Sequence, residues 1–480
     1  MRTLAAEIAE KEGKEVELMG WVDVRRDHGK LIFIDLRDRS GIAQVVFIPK
    51  DKELHAKAET LRSEWVVRVK GKVGKRPAGM ENPKIPSGYY EVPAESLEII
   101  SEAKTPPFDV TSEGHDINEE TRMKYRYLDL RRPRMKRNLV MRAKTNEFIR
   151  EFLSKREFIE VETPYISKST PEGARDYLVP SRVYPGKFYA LPQSPQQYKQ
   201  LLMVAGLEQY FQIVRCFRDE DTRGDRQPEF TQLDIEKSFT DQEEILNLIE
   251  ELFTALIKKL YPEKKVQKTP FPRMSYKEVM EKYGSDKPDL RKDKNDPDEL
   301  AFLFVVDFPM FERKDDGSLG AVHHPFTKIQ GDSSSKPGEA KELILMLLGR
   351  IKKGEWSEQV SLMAHQYDLV LNGFEIAGGS IREHDPEVLQ AVFEALGHST
   401  KEVKDRFGHI LEAFSYGVPP HGGIAAGLDR FVALLQNEPN IREVIAFPKT
   451  GDGKDLMMDG PSEVSKEQLK ELHLKVEKEK

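Results

Sequence analysis

Residues 210–239 constrain the fold of this chain more than any other stretch. Two runs of alternating apolar residues, 210–217 and 230–239, flank a loop that is rich in charged residues. Such alternation is typical of strands, and two strands joined by one loop are expected to pair antiparallel. In or beside the loop, Arg218 offers a planar set of donors for a phosphate or carboxylate, and Phe230 offers a flat face for a base. The alternative is a salt-bridged surface hairpin without a ligand.

Size and composition indicate a soluble protein of two or three domains. The chain has 480 residues, of which 38% are hydrophobic and 33% charged, so a disordered chain is excluded. The net charge of -7 gives no support for a nucleic-acid partner, and any basic surface must be local. No apolar run is long enough to span a bilayer, and residues 1–10 carry acids where a signal peptide is apolar. We therefore expect a cytoplasmic protein without a membrane partner.

The single cysteine, Cys216, excludes a disulfide framework or a cysteine-rich zinc site within one chain. It lies in the first alternating run, where we expect it to be a small buried residue. The neighbouring pair His323 and His324 raises the question of a metal again. Adjacent side chains on an extended segment point apart, so the pair is not expected to share an ion. No zinc is predicted.

The first hundred residues have the pattern of a small β-barrel. Predicted strands cover 16–24, 31–37, 42–47, 65–73 and 97–100, with a helix at 53–61 between the third and fourth strands. This order suggests an OB-type barrel, and such barrels bind single-stranded nucleic acid through basic side chains and stacking aromatics. The alternative is that Phe33 belongs to the core and the arginines are only solvated. Candidate surface residues are Arg25, Arg26, Lys30, Phe33 and Gln44.

The charged loop and its strands resemble motif 2 of the class II aminoacyl-tRNA synthetases. That motif reads Phe-Arg-x-Glu, a loop and a returning strand, and this chain has Phe217-Arg218-Asp219-Glu220 followed by Arg226-Gln227-Pro228-Glu229-Phe230. At these positions the residue types are similar to those of the bacterial aspartyl enzymes. The resemblance implies an α+β chain: an OB-fold anticodon-binding barrel at 1–104, a hinge at 105–132, and a catalytic antiparallel sheet flanked by helices at 133–480.

Two further segments extend the resemblance in the expected order. Residues 134–156 have helical periodicity, and 158–164 read as a strand that ends at Pro164, which is similar to motif 1 and implies a homodimer. The alternative is an amphipathic helix packed on its own core. Near the end of the chain, Gly427-Leu428-Asp429-Arg430 matches motif 3, in which Gly-Leu-x-Arg opens a helix whose N-terminus favours anions.

The resemblance also implies an amino-acid pocket. In residues 191–202, Ser194 is expected to cap a helix, and Gln196 and Lys199 share one face of it. The alternative for Lys199 is an exposed helix lysine. Glu172 lies in a segment that resembles a mobile loop over the amino acid. The implied aspartate-binding residues are Glu172, Ser194, Gln196, Lys199, Arg218, Asp234, His323, His324 and Arg382.

ATP and Mg²⁺ are the other implied ligands. Asp368 and Glu375 are hard oxygen ligands of the kind that Mg²⁺ prefers, and the glycines that follow them allow a ligand to approach a strand closely. Arg218 and Arg430 are expected to be catalytic, because they would offset charge that develops on the phosphate. The implied ATP-binding residues are Arg218, Glu220, Arg226, Gln227, Phe230, Glu375, Gly427, Asp429 and Arg430.

The implied activity is ATP-dependent ligation of L-aspartate to tRNA-Asp. Expected anticodon contacts are Arg26, Asp27, His28, Phe33 and Gln44. His28 is similar to the residue in aspartyl enzymes that also charge tRNA-Asn. Near 290–300 the chain departs from the bacterial pattern, since a domain-sized insertion is missing there. Two rivals remain: a lysyl or asparaginyl enzyme, disfavoured by Lys199 together with Arg382, and a non-catalytic RNA-binding paralogue, disfavoured by the presence of Arg218, Glu220 and Arg430.

Overall fold

The computed structural model describes residues 2–83, 85–169, 173–222, 224–314, 317–331, 337–355 and 362–477. The chain divides into two compact units. The first comprises Met1–Asn118 and Tyr127–Pro133, and the second comprises Glu119–Arg126 and Arg134–Lys480. The predicted hinge at 105–132 is therefore divided between the two units.

The first unit is built around a closed six-stranded sheet. The strand order is β3-β2-β1-β4-β6-β5, and a parallel pairing of β3 with β6 closes it into a barrel. Its core is aliphatic, with Val22, Ile34 and Val67 fully buried. Its elements are a 3₁₀ helix Ala5–Lys11, β1 Glu15–His28, β2 Leu31–Arg37, β3 Ile42–Phe47, α1 Lys52–Glu59, β4 Val66–Lys72, β5 Gly74–Lys75 and β6 Tyr90–Ser101.

The predicted barrel is confirmed, including the helix between the third and fourth strands. The predicted bounds of β2 and β3 match those of the structure. The last strand begins at Tyr90, earlier than predicted, because it pairs with both β4 and β5. Helix α1 begins where Asp51 accepts hydrogen bonds from the backbone N–H groups of Glu53 and Leu54, which is a common N-terminal cap.

The second unit is organised by an eight-stranded sheet in the order β13-β15-β18-β19-β20-β11-β10-β7. Its elements are α2 Glu119–Lys124, α3 Arg126–Asp129, α4 Pro133–Ser154, β7 Ile159–Glu160, β8 Leu178–Pro180, β9 Phe188–Ala190, α5 Gln196–Val204, β10 Gln209–Phe217, β11 Glu229–Ser238, α6 Gln242–Leu260, β12 Lys265–Val266, β13 Arg273–Ser275, α7 Tyr276–Tyr283, β14 Glu299–Leu300, β15 Phe302–Pro309, β16 Phe311–Arg313, β17 Leu319–Ala321, α8 Pro337–Lys352, β18 Met363–Leu371, β19 Phe374–Ile381, α9 Pro386–Ala395, α10 Thr400–Ser415, β20 His421–Gly427, α11 Leu428–Leu435, a 3₁₀ helix Ile441–Val444 and α12 Lys466–Glu471. Of these elements, α3 and α4 cross the boundary between the units: residues 127–129 of α3 and Pro133 of α4 belong to the first unit.

The sheet is mostly antiparallel. From β15 through β10 each strand runs against its neighbours, whereas the end strands β13 and β7 pair in parallel. The predicted antiparallel pair of alternating runs is confirmed as β10 and β11. Cys216 is buried on β10, as predicted. Helices α4, α6 and α11 pack apolar side chains such as Leu153, Phe253 and Phe431 on the sheet and form the main core.

One local prediction is wrong. Helix α5 begins at Gln196 with Pro195 as its N-cap, and no side chain caps it, so Ser194 does not have the predicted capping role. Proline supplies the φ that the helix start needs and has no N–H group to satisfy, so a side-chain cap is not required there. Within the described residues, no helix is long and apolar enough to cross a membrane.

Candidate active site

Three adjacent strands, β11, β19 and β20, carry the centre of the candidate site. Asp234 and Glu236 are two residues apart on β11, so their side chains leave the same face of the sheet. Opposite Glu236 in the register lies Gly423 of β20. A Cβ at Gly423 would lie 2.9 Å from the carboxyl carbon of Glu236. The glycine of β20 thus makes room for a buried carboxylate on its neighbour.

A buried network of charges joins β11 to α5 and to the end of β19. Lys199 donates to Oδ1 of Asp234 at 2.6 Å and lies 3.3 Å from Oε2 of Glu236. Arg382 donates to both oxygens of Glu236, at 2.9 and 3.0 Å, and to Oγ of Ser380 at 2.7 Å. All these charged side chains are buried. Lys199 is therefore not an exposed helix lysine.

The two carboxyl groups of this network differ in their tendency to be charged. Burial raises the pKa of Asp234, and Lys199 only partly offsets that effect. Burial also raises the pKa of Glu236, but Arg382 and Lys199 outweigh it and lower the pKa to about 2. Glu236 is thus a fixed anion held by two cations, whereas Asp234 is more readily protonated. Oδ2 of Asp234 has no hydrogen-bond partner among the described residues.

Histidines and amides extend the network. Gln196 donates to Oε1 of Gln200 at 3.2 Å, and Gln200 contacts the imidazole of His421 at 3.2 Å. Burial lowers the pKa of His421 to about 4, so this ring is neutral near pH 7. His324 is also buried, and burial followed by the charges of Arg382 and Lys199 lowers its pKa well below the usual value.

The two adjacent histidines point in different directions, as expected for an extended segment. Nε2 of His323 lies 3.5 Å from Oδ2 of Asp368, and its ring meets Phe308 edge-on. Nδ1 of His324 instead accepts from the N–H of Phe326 at 3.3 Å. Among the described residues, no group of three or more His, Cys, Asp or Glu side chains could hold a metal ion.

Beside the charge network lies a cavity of about 220 Å³. Every residue predicted to bind ATP lines it: Arg218, Glu220, Arg226, Gln227, Phe230, Glu375, Gly427, Asp429 and Arg430. Within it, the guanidinium of Arg218 stacks over the ring of Phe230 at 5.1 Å. Nη2 of Arg430 lies 3.1 Å from Asp225, and its Nη1 donates to the backbone oxygen of Glu375. In the described part of the chain, Nε of Arg218 and Nε of Arg430 are both buried without a hydrogen-bond partner.

Two of these residues have their polar atoms engaged by the protein itself. Asp429 accepts from the N–H of Thr231 at 2.8 Å and from Arg142 of α4, so it ties together the segments that resemble motifs 1, 2 and 3. The amide of Gln227 exchanges hydrogen bonds with the backbone of Lys449, at 3.1 and 2.7 Å. Asp429 and Gln227 therefore fix parts of the cavity wall in position.

The predicted magnesium ligands lie on neighbouring strands, Asp368 on β18 and Glu375 on β19, and Glu375 lines this cavity. A Cβ at Gly378 would lie 2.9 Å from Oδ1 of Asp368 and 3.7 Å from Oε1 of Glu375. The absence of a side chain at Gly378 therefore leaves a space that both carboxylates face. Two carboxylates with room for phosphate and water oxygens fit Mg²⁺, which seldom takes an all-protein set of ligands.

Other predicted residues lie elsewhere. Ser194 lines a separate cavity of about 570 Å³ near the β8–β9 hairpin, and Glu172 falls outside the described residues. On the barrel, Asp27 and His28 are exposed at the end of β1, and Phe33 is half-buried. Gln44 is buried and donates to Glu91 at 2.9 Å. Arg26 is not merely solvated, since it pairs with both oxygens of Asp35 at 2.7 Å.

Sequence reasoning missed several members of the site. Glu236 follows Asp234 at the strand period of two, so the alternation of β11 could have indicated it. No local signal marks Gln200, Ser380 or His421, because their neighbours come from distant strands and helices. Lys287 donates to Oε2 of Glu375 at 2.8 Å and was not predicted to take part in the site.

The fold and the site define a synthetase. A family model described as "tRNA synthetases class II (D, K and N)" matches residues 118–451, and a model of the OB-fold nucleic acid binding domain matches residues 16–100. The chain belongs to the class II tRNA synthetases of this D, K and N family.

Within the family, the chain is similar to proteins named "Aspartate--tRNA(Asp/Asn) ligase". The protein of Rubrobacter xylanophilus is 43% identical, with 97% of this chain and 95% of the relative covered. That of Syntrophomonas wolfei is 44% identical, with 97% of each covered. The alignment with the Rubrobacter protein runs over 590 positions, which exceeds the 480 residues of this chain by the size of a domain. The relative therefore has a domain's worth of residues without a counterpart here.

Solved structures show the same fold. The asparaginyl-tRNA synthetase of Pyrococcus horikoshii, complexed with asparaginyl-adenylate, superposes with a TM-score of 0.72 at 25% identity and covers 94% of this chain and 98% of its own. A putative aspartyl-tRNA synthetase from Leishmania major has the same TM-score at 21% identity, with 93% of this chain and 94% of its own covered.

Proposed function

We propose that this protein is an aspartate–tRNA ligase that charges tRNA-Asp and also tRNA-Asn. The observation that carries the proposal is the buried network of Lys199, Asp234, Glu236 and Arg382 next to the cavity of Arg218 and Arg430. Lys199 and Arg382 bring an ammonium and a guanidinium into this network, and both contact Glu236. A substrate side-chain carboxylate would be attracted to these two cations, whereas the amide of asparagine carries no charge to pair with them, and the ammonium of lysine would be repelled.

The first half-reaction is attack of the α-carboxylate of aspartate on the α-phosphorus of ATP, with pyrophosphate as the leaving group. Phe230 stacks the adenine, while Arg218 and Arg430 meet the charge that develops on the phosphate. Asp368 and Glu375 would hold Mg²⁺, which supplies further positive charge to the phosphates when it is bound with ATP. The nucleophile is already a carboxylate, so this step requires positioning and not a general base. In the second half-reaction, a hydroxyl of the terminal ribose of tRNA attacks the aspartyl carbonyl, the bond to the adenylate phosphate breaks, and AMP leaves.

Two further properties belong to the proposal. The protein acts as a homodimer in the cytoplasm, where its tRNA substrates are charged. Strand β7 supports the homodimer, because it ends the eight-stranded sheet and carries exposed Ile159, with exposed Tyr165 and Ile166 nearby. We further propose that the residues without a counterpart here are a domain missing near 290–300, where the sequence departs from the bacterial pattern.

The tRNA choice rests on His28 and on the names of the relatives. The Asp and Asn anticodons differ only in their third base, so discrimination depends on contacts around that base. His28 is exposed at the turn between β1 and β2, and a neutral imidazole both donates and accepts hydrogen bonds. It can therefore tolerate either pyrimidine, which an apolar side chain could not do as well.

Charging of both tRNA transcripts with aspartate tests this directly. Comparable kcat/KM values for tRNA-Asp and tRNA-Asn are expected for the wild type, and His28→Leu should shift the ratio towards tRNA-Asp. His55→Leu serves as a control, since His55 lies on α1 and contacts the backbone of Lys30. A wild-type preference for tRNA-Asp of about a hundredfold, or about 2.7 kcal/mol, would rule out relaxed specificity.

A further inference from the structure

Lys287 lies in a segment whose backbone is fixed by several local contacts. The backbone N–H of Lys287 donates to Oγ of Ser285 at 3.1 Å. Both residues lie in the short segment that follows the end of α7 at Tyr283. Two residues on, Asp289 is clamped by Arg291 at 2.8 Å and packs against the turn between β18 and β19. At that turn Gly373 has a φ of +87°, and a Cβ there would lie 3.4 Å from the Cβ of Asp289. The backbone thus fixes Lys287 beside the hairpin that carries Asp368 and Glu375.

Glu375 divides its two oxygens between different neighbours. Its Oε2 accepts from Nζ of Lys287 at 2.8 Å. Its Oε1 is the oxygen nearest to the space over Gly378, which Oδ1 of Asp368 also faces. The ammonium therefore sits on the far side of the same carboxylate that would bind the metal. It leaves one oxygen for the ion and brings a positive charge close to it.

From this arrangement we propose that the ammonium of Lys287 is a positive charge that the protein itself supplies at the magnesium site. It neutralises one of the two carboxylates and keeps Glu375 from binding an ion through both oxygens. The site therefore has weak affinity for a free divalent cation, and tight binding requires the phosphate oxygens of ATP. The inference rests on the proposed function and adds a positioning residue to it. Its consequence is that the enzyme takes up the metal together with ATP.

The competing interpretation is an ordinary surface ion pair. The side chains of Lys287 and Glu375 are 39% and 32% exposed, and exposed pairs commonly contribute little. In that case removal of the ammonium would not change metal binding. The two interpretations thus differ in a quantity that can be measured without catalysis.

The two interpretations are distinguished by measuring how tightly the full chain binds Mn²⁺ in the absence of ATP. Mn²⁺ serves as a spectroscopic substitute for Mg²⁺ and is detected by electron paramagnetic resonance. Lys287→Met should bind Mn²⁺ roughly tenfold more tightly than the wild type, because a nearby positive charge is gone. Lys287→Arg keeps the charge and should stay within about twofold of the wild type. The matched control is Lys282→Met, since Lys282 lies on α7 over the ring of Tyr283 and away from the carboxylates.

A second variant assigns the signal to this site. Adding Glu375→Gln to Lys287→Met should remove the gained Mn²⁺ binding, and melting temperatures show that each variant is folded. Equal Mn²⁺ affinity in Lys287→Met and the wild type would overturn the role of Lys287, while aspartate-dependent pyrophosphate exchange by the wild type would leave the proposed function standing. Gained binding that survives Glu375→Gln would place the ion elsewhere and would also overturn the inference.

Discussion

Buried charge beside β11 is tolerated because each charged side chain there meets an opposite charge. Lys199 and Arg382 have only a few per cent of their surface exposed, and both contact Glu236, which has none. Removing one partner of such a pair typically costs about 3–5 kcal/mol, since an uncompensated charge is left behind. The proposed amino-acid pocket is therefore held in shape by its own ion pairs, and substitution of Lys199, Glu236 or Arg382 is expected to destabilise it.

Arg218 and Arg430, which line the cavity of about 220 Å³, are expected to be essential for adenylate formation. Arg218→Ala and Arg430→Ala should each lower the rate of aspartate-dependent pyrophosphate exchange by about 10²–10³, because each removes an electrostatic contact made to the transition state. Arg215→Ala is the matched control: Arg215 lies on β10, three residues before Arg218, and is 3.8 Å from Glu229 without lining the cavity. Near-normal exchange in either cavity variant, with a normal melting temperature, would contradict the assigned role.

At the scale of elements, ion pairs join segments that are far apart in sequence. Glu443, in the 3₁₀ helix after α11, accepts from Arg122 of α2 and from Arg134 at the start of α4. Arg134 also pairs with Glu438, and Asn138 donates to the same glutamate at 2.6 Å. These contacts fix the first turns of α4 against the segment that follows α11. The helix that resembles motif 1 is thereby anchored to the end of the one that resembles motif 3.

This anchor predicts a dependence of stability on pH. Burial raises the pKa of Glu443, but Arg122 and Arg134 outweigh it and lower the pKa to about 2, below the ordinary 4.5. A depressed pKa stabilises the folded state above pH 4.5, and this contribution is lost as the pH falls from 4.5 towards 2. Glu443→Gln should therefore be less stable than the wild type at pH 7, by up to about 3 kcal/mol.

The melting temperatures of the wild type and Glu443→Gln, followed from pH 7 downwards, measure this effect. The difference between them should be constant down to about pH 5 and should narrow below pH 4.5. Glu263→Gln, on the surface, is the control and should track the wild type throughout. A difference that stayed unchanged at the lowest pH at which both proteins remain folded would contradict the role of Glu443.

Sequence patterns predicted the elements far better than the contacts between them. Alternation located β2, β3, β10 and β11 closely, because the period of two is a local property of a half-buried strand. The residues that line the cavity of about 220 Å³ could be grouped in advance because they follow motifs of fixed spacing. Arg122 and Glu443 lie 321 residues apart, so no local pattern could pair them. Lys287 was missed for the same reason, since only the fold brings its segment to β19.

At the scale of the whole molecule, the end of the eight-stranded sheet bears on assembly. Strand β7 pairs with β10 on one side, and the described residues provide no partner strand on its other side. Ile159 on β7 and Ile166 just beyond it are 48% and 55% exposed. An apolar sheet edge is a common site for association, and two copies related by a twofold axis would use the same patch.

A homodimer through this edge predicts a specific loss on mutation. Ile166→Asp should convert the protein from a dimer to a monomer in sedimentation at micromolar concentration and should lower pyrophosphate exchange, because a charge cannot be buried in the apolar contact. Tyr416→Asp is the control, as Tyr416 is an exposed aromatic residue after α10. A wild type that sediments as an active monomer would refute the homodimer.

The buried network of Lys199, Asp234, Glu236 and Arg382 is the proposed determinant of selectivity for aspartate. Pyrophosphate exchange, measured with the wild-type protein and each of the twenty amino acids in turn, tests it most directly. Exchange should depend on aspartate, and asparagine and lysine should give no more than background, because neither has a side-chain carboxylate to pair with Lys199 and Arg382. Exchange with asparagine or lysine but not with aspartate would contradict this role of the network.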